Sequence, residues 1–367
     1  MGNSKIGTAE AICLILGVFV AHTLVAIPRS LLESTKSATI INIIYVGIIA
    51  LLITFILYKL IKNFPSSDII DISEYLGGKS FKTIIGIVFI AYFMLSSGIL
   101  LRNFCECLKI VYYPMTSLIF ILLAFIVAIC IVLKYKFPTI SKVNLIIMPL
   151  AVISIIFLFM ANIGHFTFEN IFPIFGDSLF NTFITGLGNL SAFGGISLIY
   201  FIPPYLKEPD KMKKIFLSSI ALGAIYLLIS VSIILFMFIF LLHTNGIMPL
   251  YSAARYIEFG TFFQRLESVF LLIWILQMVC YLTITIKVAM SIFKKMTDIK
   301  NDKSLILVFG LLLFSIALLP KDYAVSKFIE DTVYKYTMLS IILILCISIL
   351  ILANIKKKRK KVGAKNE

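Results

Sequence analysis

Thr182-Phe-Ile-Thr-Gly-Leu-Gly-Asn-Leu-Ser-Ala-Phe-Gly-Gly-Ile-Ser-Leu-Ile-Tyr-Phe-Ile-Pro-Pro-Tyr-Leu206 is an apolar stretch with a break near its middle. Crossing a bilayer as a helix takes roughly 20 apolar residues, and this run is long enough. Yet Gly194-Gly195 stands near its centre, with Gly186, Gly188, Asn189 and Ser191 just before. Backbone that unwinds in hydrocarbon leaves amides and carbonyls unpaired, at a cost of several kcal/mol each on the order-of-magnitude scale. Such a break survives where it is buried in protein or lines a cavity, so it points to a binding site.

The rest of the chain agrees with a membrane setting. Of its 367 residues, 60% are hydrophobic and only 14% are charged, with mean hydropathy +1.06. That balance marks an all-α polytopic membrane protein, one transmembrane domain over residues 1–367. Run lengths predict about ten spans: 8–32, 38–60, 83–101, 115–133, 143–163, 182–206, 215–242, 266–291, a short ninth at 304–319, and 335–355. The first run is too long for a cleaved leader and lacks an Ala-x-Ala exit, so it is expected to remain as a span.

Lysine and arginine set the orientation. With the amino terminus inside, 24 of the 33 basic residues fall on the inner side. The positive-inside rule then makes both termini cytoplasmic. The net charge of +15 is thereby explained by the membrane and not by nucleic acid. Residues 356–367 form a basic cytoplasmic tail, and Lys356-Lys-Lys-Arg-Lys-Lys361 is expected to lie against anionic lipid.

Ten spans divide into halves of five, about 8–163 and 182–355. Five is odd, so two similar halves must be inverted relative to each other. Inverted repeats with interrupted helices at matching places mark one class of secondary transporters. The partner break is expected at Gly17 in the first span. The amides of Val18 and Phe19 would then cap a half-helix and favour a carboxylate. Carbonyls around Ser191, Ala192 and Phe193 would face an ammonium group. The competing reading is that Gly17, Gly194 and Gly195 only permit tight packing.

Several stretches resemble the spore germination permease family, the polytopic B subunits of nutrient germinant receptors: Asn170-Ile-Phe-Pro173-Ile-Phe-Gly176, Ile202-Pro-Pro-Tyr-Leu-Lys-Glu-Pro-Asp-Lys-Met-Lys-Lys214, and Phe262-Phe-Gln-Arg265-Leu-Glu267-Ser268-Val-Phe-Leu-Leu-Ile-Trp274. That family is similar to the amino acid–polyamine–organocation transporters. The resemblance implies a five-plus-five inverted repeat with interrupted first and sixth helices. It also implies a receptor for small nutrients, often amino acids, in the spore inner membrane or cell membrane, with companion A and C subunits. A secondary active amino acid transporter is the alternative. In similar transporters an aromatic in the third span closes over the substrate, which singles out Tyr92.

Other polar residues have simpler expectations. Thr283 and Thr285 either line the site or bond back to their own helix. Lys287 is expected to snorkel. Arg102–Glu106 and Arg29–Glu33 are expected to be surface helix pairs. Arg265 and Glu267 point to different faces, towards a loop or a partner. Pro249 to Glu258 with Gly260 suggests a short outer helix, capping a cavity or lying at the interface. His22, His165 and His243 are too scattered for a metal, with His22 expected in the core or at headgroup level. The cysteines, including Cys105-x-Cys107, are expected to be buried thiols. No phosphate loop, paired acids or cofactor motif is present, and catalysis has no support in the sequence.

Overall fold

A computed structural model describes residues 5–25, 27–237, 248–257, 266–297, 299 and 302–366. His243, the Glu258–Gly260 end of the outer helix, and Phe262–Arg265 lie outside the described residues. The described chain is helical throughout, apart from connections and a single backbone bridge between Ile6 and Leu206.

The helices, in order, are α1 (Thr8–Thr23), α2 (Ile27–Thr35), α3 (Thr39–Ile61), α4 (Ile69–Tyr112), α5 (Leu118–Leu133), α6 (Phe137–Ala161), α7 (Leu179–Phe183), α8 (Ile196–Ile199), α9 (Met212–Met237), α10 (Pro249–Arg255), α11 (Glu267–Thr297), α12 (Asp302–Leu318), α13 (Tyr323–Phe328), α14 (Lys335–Thr337) and α15 (Cys346–Asn366). A 3₁₀ stretch, Thr185–Phe193, joins α7 to α8. Wide π turns, Ile329–Tyr334 and Met338–Leu345, flank α14. These pieces make ten segments: α1–α2, α3, α4, α5, α6, α7–α8, α9, α11, α12 and α13–α15. Among the described residues, five helical stretches pass as spans on their own length and hydropathy: Ile27–Ile61, Ile69–Tyr112, Phe137–Ala161, Pro209–Met237 and Glu267–Thr297. Of the others, segments one and six are interrupted, Leu118–Leu133 is short, and segments nine and ten meet at a bend.

The packing has the symmetry of a repeat. Segment 2 packs on 7, 3 on 8, and 4 on 9. Segment 1 packs on 5 and 7, as segment 6 packs on 10 and 2. Segment 8 packs on 5 and 4, as segment 3 packs on 10 and 9. Exchanging the first five segments for the last five leaves this pattern unchanged. The close contact of segment 1 with segment 8 is less well matched by 6 with 3. Two five-segment units related this way form the inverted repeat.

Two segments differ most from the sequence reading. α4 continues to Tyr112, past the expected end at 101, so Arg102 and Cys105 to Cys107 lie on a helix. At its other end α4 begins at Ile69, where Asp68 accepts from the amides of Ile70 and Asp71, and bends at Gly78 (φ 75°). Only glycine takes that backbone angle without strain. The tenth segment begins at Tyr323, twelve residues before the expected start, after a 108° bend from α12. Its polar opening, Lys327 to Lys335, reads as a loop in sequence but is built into the bundle.

Candidate functional site

α1 runs through Gly17 without a break. The interruption falls later, after Thr23, where the Val25 amide reaches only back to the His22 carbonyl (3.4 Å) and α2 starts afresh at Ile27. The expectation that the helix unwinds after Gly17 is therefore corrected. One glycine costs a helix about 1 kcal/mol against alanine, too little to break one that is packed on all sides. A Cβ on Gly17 would stand 3.1 Å from Gln277 Nε2 and 3.7 Å from Asn144 Oδ1. The glycine admits these two buried amides. Val18 and Phe19 lie mid-helix, and their amides cap nothing.

The sixth segment is interrupted by tight winding, not by extended chain. Thr185–Phe193 is 3₁₀, and Gly194 and Gly195 keep helical angles (φ −53° at both). The expectation of unwound backbone at these glycines is corrected too. What they supply is room. A Cβ on Gly194 would lie 2.6 Å from the Tyr334 hydroxyl, and one on Gly195 would lie 2.4 Å from Phe19 Cε2 and 3.1 Å from the Ile15 carbonyl. Two carbonyls of the sixth segment accept from a neighbouring helix. Asn42 on α3, wholly buried, donates from Nδ2 to the Thr182 carbonyl (2.7 Å) and the Gly186 carbonyl (3.2 Å). Asn189 Nδ2 donates to Asn42 Oδ1 (2.7 Å) and Ser34 Oγ (2.8 Å), tying the interruption to α2 and α3.

Between the two interruptions lies a small polar pocket of about 30 Å³. Its walls include Ile27 and Ser30 at the start of α2, Asn189, Ser191 and Ala192 of the 3₁₀ stretch, and Glu330, Asp331, Tyr334 and Lys335 of segment ten. Behind it stands a buried polar cluster. His22 Nε2 and the Tyr281 hydroxyl are 2.9 Å apart, and His22 Nδ1 lies 3.7 Å from Glu330 Oε1. Asn103 Nδ2 donates to the other Glu330 oxygen. The Tyr334 ring stacks between His22 (5.1 Å) and Tyr92 (6.0 Å). Glu330 sits in a π turn, a winding that recurs at functional sites.

Ser191 and Ala192 reach this pocket, and Tyr92 reaches its Tyr334 wall. Phe193 packs edge-on against Phe19 (5.6 Å). Thr283 is not brought in: its hydroxyl donates to the Val279 carbonyl (2.7 Å) of its own helix. Thr285 is shared between its helix and Ser97 (2.8 Å). Sequence reasoning missed Glu330, Tyr334, Lys335 and Asn42, named Asn189 only as part of the break, and left His22 as a core or headgroup-level residue. A buried acid two residues from a histidine has a signature; an acid some three hundred residues away has none.

Several expectations for charged groups change. Arg102 and Glu106 are not a surface pair. Arg102 is 5% exposed, lies 2.8 Å from Glu106 and donates to the carbonyls of Ala317 and Lys321, closing the end of α12. Lys287 donates to the Leu133 carbonyl (2.8 Å) at the end of α5. Lys356 donates to the carbonyls of Tyr75 and Leu76, and Lys357 to that of Asn63, so the tail begins as a clamp on protein carbonyls. Arg29–Glu33 remains a partly exposed pair (2.7 Å) that Lys327 joins. The short helix at Pro249 is largely buried, and the Ala253 carbonyl accepts from Asn162.

At the lysine-rich end the bundle is strapped shut. The Ile6 amide donates to Tyr205 and the Lys207 amide to Ile6, while Tyr205 meets Ser291 (3.1 Å). Lys295 Nζ lies 2.6 Å from both Asp68 and Asp71. Burial pushes the Asp68 carboxyl above the ordinary carboxylate range, against the opposing pull of Lys295.

The family described as "Spore germination protein" matches residues 5–326. The chain is 26% identical to spore germination protein YndE of Bacillus subtilis (strain 168) over 98% of this chain and 99% of that one. It is 22% identical to spore germination protein B2 of the same organism, over 94% and 93% respectively. Among solved structures it resembles a Na⁺-coupled sialic acid symporter in a substrate-bound, outward-open state. The TM-score is 0.65 at 12% identity, covering 91% of this chain and 78% of the symporter. That likeness concerns the fold alone.

Proposed function

The chain belongs to the spore germination protein family, and from that premise we propose that it is the membrane subunit of a spore nutrient germinant receptor. It binds a small nutrient, an amino acid, between the interrupted segments. The observation that carries this reading is the polar pocket walled by the start of α2, the 3₁₀ stretch and Glu330. A nutrient carboxylate faces the first turn of α2, where the helix dipole favours an anion. Its ammonium faces the Glu330 carboxylate and the carbonyls near Ser191 and Ala192. Room of about 30 Å³ is one water's share of liquid volume, so a bound amino acid must displace Tyr334 or the 3₁₀ stretch. That coupling of occupancy to segment movement is what a sensor needs.

In this reading A and C subunits are its partners, the spore inner membrane is its location, and both termini are cytoplasmic. The halves divide at about 8–163 and 182–355, and the chain performs no catalysis. Spores carrying this receptor alone, scored against a nutrient panel, test the proposal. Germination should follow one nutrient class, and Gly194→Leu should abolish the response at unchanged protein level. An unchanged response overturns the site. A second reading, secondary amino acid transport, is favoured by the symporter-like fold. Uptake of labelled amino acid into proteoliposomes by the purified chain, without companions, would establish it instead.

A further inference from the structure

A second cavity opens on the flank of the bundle, between α4, α12 and the π turns of segment ten, with a volume of about 330 Å³. That lies at the lower end of small-molecule sites. Its walls are almost wholly apolar, and Leu95, Leu319 and Val333 on them are also exposed on the outer surface. Leu95 stands midway along the spanning helix α4, where an exposed aliphatic side chain faces hydrocarbon, so the cavity mouth opens sideways into the bilayer. Its inner end is different. It stops at Tyr92, His22 and Glu330.

Glu330 is 6% exposed and only half satisfied. One carboxylate oxygen takes the Asn103 amide. Among the described residues the other, Oε1, has no hydrogen-bond partner, and neither has the facing His22 Nδ1 at 3.7 Å. A buried polar atom in that condition calls for a donor. A lipid acyl chain fills the apolar part of such a cavity but leaves the carboxylate oxygen bare. A carboxylate headgroup is repelled. A primary ammonium on an apolar body satisfies both ends: donors and positive charge at Glu330, hydrocarbon along the walls.

We infer that this flank cavity is a binding site for a hydrophobic primary monoamine that enters from the bilayer, with its ammonium on Glu330. The cavity is separate from the nutrient pocket, but both readings place an ammonium on Glu330, so monoamine and nutrient compete for one carboxylate. Both share the Glu330 and Tyr334 wall, so a cation held in the flank cavity is placed to act on the nutrient pocket through that wall.

The test uses the full chain in phosphatidylcholine nanodiscs and an octylamine carrying a diazirine near its methyl end. After illumination, mass spectrometry locates the adducts. The expected labels fall on residues 88–99, 316–319 and 329–341. Excess n-octylamine should reduce them about tenfold, with n-octanoate and n-octane without effect. Glu330→Gln should raise the octylamine concentration needed at least tenfold. Ala91→Trp plugs the exposed mouth while leaving Glu330 in place, and it should remove the label from a protein that melts as the unsubstituted chain does. It decides the matter if Glu330→Gln fails to fold. Labels spread evenly over the lipid-facing helices, equal competition by n-octanoate, or undiminished labelling in Ala91→Trp would each overturn the assignment.

Discussion

Asn42→Ala is the sharpest test of how the interrupted sixth segment is held. Asn42 donates to two carbonyls of the sixth segment and accepts from Asn189. Alanine removes all three bonds. Interhelical hydrogen bonds in membranes average about 0.6 kcal/mol, and stranded buried groups cost about 1–3 kcal/mol each. Three bonds at the first figure come to about 2 kcal/mol. For a chain of this size, at about 2.1 cal/mol/K of unfolding entropy per residue, that is a fall in melting temperature of about 2–3 °C. Dye labelling of the buried thiols Cys105, Cys107, Cys280 and Cys346 reports unfolding directly, at one fixed heating rate. Asn189→Ala should cost less, because it removes the bonds to Asn42 and Ser34 and leaves the carbonyls capped. The double variant should fall short of the sum by about 1 kcal/mol, since both single changes break the same Asn42–Asn189 bond. If Asn42→Ala melts with the unsubstituted protein, or the two changes add fully, the account of the interruption is wrong.

Three further expectations concern the charged groups and the topology. Arg102→Met should destabilise by about 3–5 kcal/mol, because it strands Glu106 in a site 13% exposed, whereas Arg102→Met with Glu106→Leu should recover much of the loss; thiol-dye melts decide between them. Asp68 holds its proton more tightly in the folded chain than in the unfolded one, so stability from this group rises as pH falls from the raised value towards the ordinary carboxylate value. Asp68→Asn should flatten that part of the stability–pH curve, and an unchanged curve would remove Asp68 from the account. Single cysteines at Lys357 and Asn170, probed with an impermeant maleimide on intact cells, should be protected and labelled respectively; the reverse pattern overturns the orientation.

How much of this was legible beforehand depends on the kind of signal. The ten segments were, because hydrocarbon demands long apolar runs and each run shows locally. The interrupted pair was legible as a pair, since the repeat places segment one opposite segment six. The position within the pair was not. Gly17 invited a break, yet α1 packs it against Gln277 and Asn144 and winds on to Thr23. Segment ten was read too short because Glu330, Asp331 and Lys335 look like a loop. Their burial beside His22 and Asn189 depends on helices far away in sequence.

Composition, run length and basic-residue placement by themselves determined a polytopic helical protein with two halves of five segments and a weak point at Thr185 to Gly195. These are consequences of the bilayer as solvent, and the solvent acts on every residue where it stands. Only the tertiary structure decided which polar groups meet: Asn42 on the Thr182 and Gly186 carbonyls, Tyr334 against Gly194, and Glu330 in the walls of both cavities. A buried polar atom is satisfied by whichever neighbour packing brings within about 3 Å, and that choice is made between helices and not along one.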